Sequence, residues 1–154
     1  SLEQQLRIAA HVDGARARGV PVLCGGVPAV DPQTGLGWFY PPTVLDAVPA
    51  DDAVVQEEIF GPVLVVQVAD SPEHALALAN GTRFGLAAGI YTRDLQRALQ
   101  LARDIDAGQV YVNEYYAGGV ETPFGGNRQS GFGRERGLEG LRSYLRTKCT
   151  TVRI

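Results

Sequence analysis

Between residues 63 and 113 the chain alternates short apolar runs with helical stretches that carry their own start and stop signals, and this limits the folds open to it. The run 63–68 is β-branched and apolar and reads as a buried strand. Ser71-Pro72-Glu73 then opens a helix. It supplies a capping hydroxyl, a proline in the first turn and an acid near the positive end of the helix dipole. Asn80-Gly81 closes that helix, and a second strand follows at 86–91. Thr92 is the expected cap of the next helix, whose apolar face is Leu95, Ala98, Leu99, Ala102 and Ile105 and which ends by Gly108. A third strand occupies 109–113. Strand, helix, strand, helix, strand in short succession is the pattern of crossover connections, and it predicts an α/β fold with a largely parallel sheet flanked by helices.

The flanks are compatible with that frame. Leu2, Leu6, Ala9, Ala10 and Val12 recur at helical spacing, so 2–18 is predicted helical and Gly19 stops it. A short strand at 20–24 carries Cys24 at its buried end. Residues 25–37 hold Pro28, Asp31-Pro32 and Thr34-Gly35 and read as turn and loop. Extended segments at 39–40 and 43–48 are separated by Pro41-Pro42. A short helix from Asp51 must end by Phe60, because Pro62 disfavours a helical Gly61. After a glycine-rich loop at 118–133 come a helix at 138–145 and a strand at 148–154. That last strand follows no crossover and is expected to extend away from the core. No repeat, low-complexity tract or linker divides the 154 residues.

Composition narrows the function classes. Two cysteines, Cys24 and Cys149, are too few for a disulfide framework, and no Cys/His spacing suits a metal. His11 and His74 fall on separate predicted helices. No leader-like segment and no run of eighteen apolar residues occur, so a soluble, cytoplasmic protein without a membrane partner is expected. The net charge of -3 is uneven: from Arg128 onward seven basic residues face two acids, a net +5, leaving −8 for residues 1–127. No nucleic-acid reader motif accompanies the basic end, and no nucleic-acid partner is expected.

Three segments hold side chains suited to chemistry. At 57–62 a carboxylate and a ring stand at an irregular turn leading into a strand. Glu58 there can accept two hydrogen bonds from a sugar diol and Phe60 can lie against a planar ligand, or they are a surface acid and a core anchor. At 113–124, Glu114, Tyr115, Tyr116 and Phe124 follow a strand end, where ligand contacts gather in open α/β sheets; they suit a pocket wall or a packed surface loop. The third, Gly131-Phe132-Gly133-Arg134-Glu135-Arg136-Gly137, is no dinucleotide fingerprint, because a polar stretch rather than a strand precedes it.

Taken in order, Glu57-Glu58-Ile59-Phe60-Gly61-Pro62, Val112-Asn113, Pro123-Phe124-Gly125-Gly126 and Ser130-Gly131-Phe132-Gly133-Arg134-Glu135 resemble the C-terminal part of the NAD(P)-dependent aldehyde dehydrogenases. The resemblance implies that Glu58 holds the nicotinamide ribose hydroxyls with Phe60 packed beside it. It also implies that Tyr115, Tyr116 and Phe124 line the aldehyde tunnel, with Glu114 as a polar selector, and that Asn113 steadies the catalytic loop. Glu135 becomes a candidate proton relay, although a simple salt bridge to a neighbouring arginine is the favoured account of it. Residues 1–146 would be part of the catalytic domain and 147–154 an oligomerisation strand. The family's cysteine nucleophile and dinucleotide-binding domain lie upstream of the resemblance, and Cys24 stands in the wrong place to substitute. The expectation is a C-terminal fragment, inactive alone and holding no NAD or NADP by itself. Its partners would be further copies or an N-terminal dehydrogenase portion. The alternative is a non-catalytic oligomerising or interaction module derived from that fold.

Overall fold

Ser1 opens the first helix, its hydroxyl accepting from the Gln4 amide at 3.3 Å, and α1 runs Leu2–Ala17. Gln5, Ile8, Ala9, Val12 and Ala15 are buried along it, one helical face. In the computed structural model, which describes residues 1–154, the chain packs as two units, Ser1–Gly81 and Thr82–Ile154. The division falls between Gly81 and Thr82 and has no proline- or serine-rich linker to announce it.

In the first unit α1 is followed by strands β1 (Val22–Cys24) and β2 (Thr43–Leu45), helix α2 (Ala53–Gln56), strand β3 (Val63–Val65) and helix α3 (Pro72–Asn80). The sheet order is β1-β2-β3, with β1 antiparallel to β2 and β2 parallel to β3, Thr43 facing Val63 and Leu45 facing Val65. The core is Val12, Ala15, Val20, Leu45, Val48 and Val54. Three expectations change. Cys24 is exposed rather than buried, because β1 is an edge strand. The run 63–68 shortens to three residues at the opposite edge, where Leu64 is 61% exposed while its neighbours are half-buried. One covered face buries alternate residues only. The stretch 43–48 also shortens, interrupted by Ala47 at φ 49°. The signals around α3 hold: the Ser71 hydroxyl accepts from the His74 amide at 3.1 Å, Pro72 is in the first turn and Gly81 succeeds the last residue.

The second unit carries β4 (Phe84–Gly85), β5 (Ala87–Ile90), α4 (Leu95–Asp104), β6 (Gln109–Val112), β7 (Asn127–Arg128) and α5 (Gly137–Arg142). Strands β5 and β6 are parallel and joined through α4, and β4 pairs antiparallel with β7. The α/β class stands, with its parallel pairs at β2–β3 and β5–β6. Asp94, not Thr92, caps α4: its carboxylate accepts from the Arg97 amide at 3.0 Å, while Thr92 accepts from the Asp94 amide one turn outside. Of the predicted apolar face only Ala98 is buried; Leu95 and Leu99 are exposed. The loop 118–133 contains β7, and an isolated bridge joins Phe124 to Glu135. Residues 148–154 form no ladder within the chain, and Val152 and Ile154 are exposed. No helix is long and apolar enough to cross a membrane, and no cluster of three or more His, Cys, Asp or Glu side chains is placed to hold a metal ion.

Candidate functional site

Asp52 fixes the approach to the first candidate segment. Its buried carboxylate accepts from the Val54 amide at 3.0 Å, starting α2, and takes two bonds from the Arg18 guanidinium at 2.7 and 2.6 Å. Those bonds hold the Asp52 carboxyl below its usual value of 3.8. The chain leaves α2 at Glu57 in extended conformation, and Glu58 is exposed. Phe60 adopts φ 54° and its carbonyl accepts from the Gln4 side chain at 2.6 Å. Gly61 lies directly on Ile8, where a Cβ would stand 2.5 Å from that side chain and force it to shift, so glycine suits the approach. Backbone thus faces α1, while the Phe60 ring, 67% exposed, is no core anchor.

In the second unit the rings that sequence reading singled out converge. Tyr115 and Tyr116 have centroids 5.8 Å apart, and Tyr116 stands 6.0 Å from Phe124. Tyr111 joins them, 5.6 Å from Tyr115 and stacked on Tyr116 at 6.4 Å. Sequence reading passed over Tyr111 as a strand residue; its position two before Asn113, at the end of β6 nearest the aromatic loop, was the available signal. Glu114 is exposed and belongs to no ring contact. The Arg136 guanidinium lies 5.5 Å over the Phe124 ring, a cation–π arrangement.

Asn113, at φ 55°, locks the end of the parallel pair. Its side-chain oxygen accepts from the Thr92 amide and its nitrogen donates to the Thr92 carbonyl, each at 2.8 Å. Glu135 is exposed and is held through its backbone, which exchanges bonds of 2.7 and 2.6 Å with Phe124. No arginine pairs with it. Arg134 instead donates to the Gly126 and Gly133 carbonyls and to the Asn127 side chain. Beside this bridge an open hollow of about 410 Å³ is lined by Leu86, Phe124, Ser130, Arg134 and Glu135 among others. Six non-glycine residues have positive φ, and four of them, Phe60, Asn113, Tyr116 and Arg136, fall in the candidate segments. Left-handed backbone at such residues costs about 1–3 kcal/mol each and persists where surrounding structure dictates it.

Three comparisons bear on this arrangement. The model of the aldehyde dehydrogenase family matches residues 1–150. The 4-trimethylaminobutyraldehyde dehydrogenase A of Danio rerio is 44% identical over 148 residues, 95% of this chain and 29% of the relative. The Homo sapiens 4-trimethylaminobutyraldehyde dehydrogenase is 42% identical over 149 residues, covering 95% of this chain and 30% of the relative. Among solved structures, the P. syringae indole-3-acetaldehyde dehydrogenase AldA in complex with NAD+ and IAA superposes with a TM-score of 0.92 at 35% identity, over all of this chain and 31% of that one. The chain spans about three-tenths of the length of the curated relatives it matches. With a family match across nearly its whole length, the chain belongs to the aldehyde dehydrogenase family.

Proposed function

We propose that these residues form the cofactor-ribose, aldehyde-wall and subunit-contact portion of an NAD(P)-dependent aldehyde dehydrogenase, and that the reaction requires the cysteine nucleophile and dinucleotide-binding domain found elsewhere in the family's chains. The observation that carries the reading is the turn at 57–62: α1 holds its backbone, while the Glu58 carboxylate and the Phe60 ring stay exposed. These groups fit the sugar end of a nicotinamide nucleotide and leave its phosphates to other residues. Bound NAD(P) supplies the hydride acceptor. Glu58 would accept a hydrogen bond from each of the two ribose hydroxyls and hold the sugar, and Phe60 would close one side against water. Tyr115, Tyr116 and Phe124 wall the aldehyde path, with Glu114 at its polar edge, Asn113 holds the strand ends behind them, and Glu135 carries the proton outward. The 154 residues alone bind no cofactor and reduce none.

The test is Glu58→Gln in the native polypeptide that carries these residues. Charge-assisted hydrogen bonds contribute about 1.5–3 kcal/mol each, so the KM for NAD+ or NADP+ rises about tenfold or more while the aldehyde KM holds. An unaltered cofactor KM overturns the reading.

The ring cluster and the relatives together give the substrate a direction. Trimethylammonium and indole groups, which the names of two similar proteins specify, both pack on aromatic faces. An aldehyde with such a bulky cationic or aromatic end is favoured over a short aliphatic one. Tyr116→Ala then lowers kcat/KM for the bulky aldehyde about tenfold and for acetaldehyde less than threefold, since loss of a ring contact removes about 1–2 kcal/mol. The second reading, a non-catalytic module joining copies through its C-terminal residues, draws on the exposed Val152 and Ile154.

A further inference from the structure

Helix α2 has four residues, too few to place itself, since helix nucleation is unfavourable and one turn returns little. Its position comes from Asp52. The Asp52 carboxylate caps the Val54 amide, and its carbonyl accepts from the amides of Val55 and Gln56. The same carboxylate meets Arg18 side-on through Nε and Nη2, a two-point geometry that fixes orientation as well as distance. Arg18 is the residue that ends α1, and Asp52 is buried with only 4% of its side chain exposed. Glu58 stands two residues past the end of α2.

The far end of the turn is tied to the same helix. Gln4, near the start of α1, donates to the Phe60 carbonyl at 2.6 Å, and Gly61 rests on Ile8. Helix α1 therefore braces the segment at both ends, Arg18 through Asp52 before Glu58 and Gln4 through Phe60 after it. The side chain of Gln56, the last residue of α2, makes only neutral bonds, to the carbonyls of Ala50 and Gly81.

We propose that Arg18 and Asp52 are a positioning pair for the cofactor turn, setting where the Glu58 carboxylate stands while touching neither cofactor nor substrate. This rests on the reading of Glu58 as the ribose-binding group. A rigid side-on pair at the base of a one-turn helix sets both the distance and the rotation of residues 57–60 beyond it. Removing one partner frees α2 to rotate and spreads Glu58 over several positions, of which only one suits a diol.

The experiment uses Arg18→Met, Arg18→Lys, Asp52→Asn and Glu58→Gln in the native polypeptide, with NAD+ and NADP+ as probes. Asp52→Asn keeps an oxygen for the Val54 amide but loses the charge and the acceptor for Arg18 Nε, so it breaks the side-on pair while leaving the cap of α2. Arg18→Met and Asp52→Asn are expected to raise the cofactor KM about three- to tenfold with kcat within twofold and the aldehyde KM unaltered. Arg18→Lys, which keeps the charge but meets the carboxylate as a point and not a fork, recovers part of that loss. Backbone hydrogen exchange accelerates in 53–62 and not in 84–113. If Glu58→Gln leaves the cofactor KM unaltered, the ribose reading fails, whatever the pair does. If Glu58→Gln raises it and Arg18→Met does not, the positioning role is overturned even where exchange in 53–62 quickens. Equal losses in Arg18→Lys and Arg18→Met, or exchange that quickens everywhere, also overturn it, because a general loss of stability is then the cause. Should Arg18→Met fail to fold, the Arg18→Lys and Asp52→Asn proteins carry the same comparison.

Discussion

Asn113 extends the β5–β6 ladder past its last paired residues: its backbone N–H donates to the Ile90 carbonyl at 2.7 Å and its side chain bonds Thr92. The regular pairing ends at Ile90 and Val112, and beyond it the Asn113 side-chain amide bonds both backbone polar groups of Thr92. Asparagine also tolerates the left-handed backbone found there better than other non-glycine residues. Asn113→Ala loses two neutral hydrogen bonds and meets that backbone with a less tolerant residue, so it costs about 1–2 kcal/mol, read as a shift in denaturant midpoint at unchanged slope. Asp52 gives a second prediction at this scale. Arg18 donates to it and holds its carboxyl below the usual 3.8. A carboxyl depressed in the folded state binds fewer protons there than in the unfolded chain, so its stabilisation is complete above the unfolded value and fades as pH falls through the folded one. Urea titrations between pH 6 and pH 2 are expected to show stability falling below about pH 4, with a smaller fall in Asp52→Asn. Equal profiles refute this.

At the scale of elements, the legible part of the sequence was the part that local chemistry decides. Helix α3 begins and ends where Ser71, Pro72 and Gly81 say it should, because caps and prolines act within one turn. Burial was less legible. Val63–Val65 and Leu95, Leu99 look like core from composition, yet Leu64, Leu95 and Leu99 are exposed, since burial depends on the chain packed opposite and not on the residues themselves. Thr92 and Asp94 are both capping residues, and only the hydrogen-bond geometry chooses Asp94. In the candidate site the Tyr115, Tyr116 and Phe124 grouping was legible because short loops keep neighbours together. The Arg18–Asp52 pair was not, as 34 residues separate its partners. The turn between α4 and β6 shows the same dependence on distant chain: a Cβ at Gly108 would run into the Gly125 carbonyl. Gly108→Ala is expected to destabilise by about 3 kcal/mol, since backbone cannot give way as a side chain does. Gly35→Ala, with open space around it but φ +69°, is expected to cost about 1 kcal/mol. Thermal melts of the two variants side by side check the ordering.

For the molecule as a whole, the exposed apolar side chains near residue 154 are an interaction the chain leaves unmade. Leu141, Tyr144, Leu145, Val152 and Ile154 are all exposed, and Ile154 is at 118% of its reference area. The segment 148–154 alternates apolar Val152 and Ile154 with polar Thr151 and Arg153, the pattern of a strand with one face to bury, yet it has no ladder partner in the chain. A lone strand is not stable in water, so this pattern asks for another sheet edge. Charge favours a second copy as the supplier: the basic +5 of residues 128–154 complements the −8 of the rest. Deleting 147–154 from the native polypeptide is expected to reduce the mass of the assembly measured by light scattering, while the melting of the remaining chain stays cooperative. The core of the first unit lies at Val12, Leu45 and Val54, and it contains no residue of the deleted segment. A deleted form of unchanged mass per particle would return 147–154 to the status of an unpaired tail.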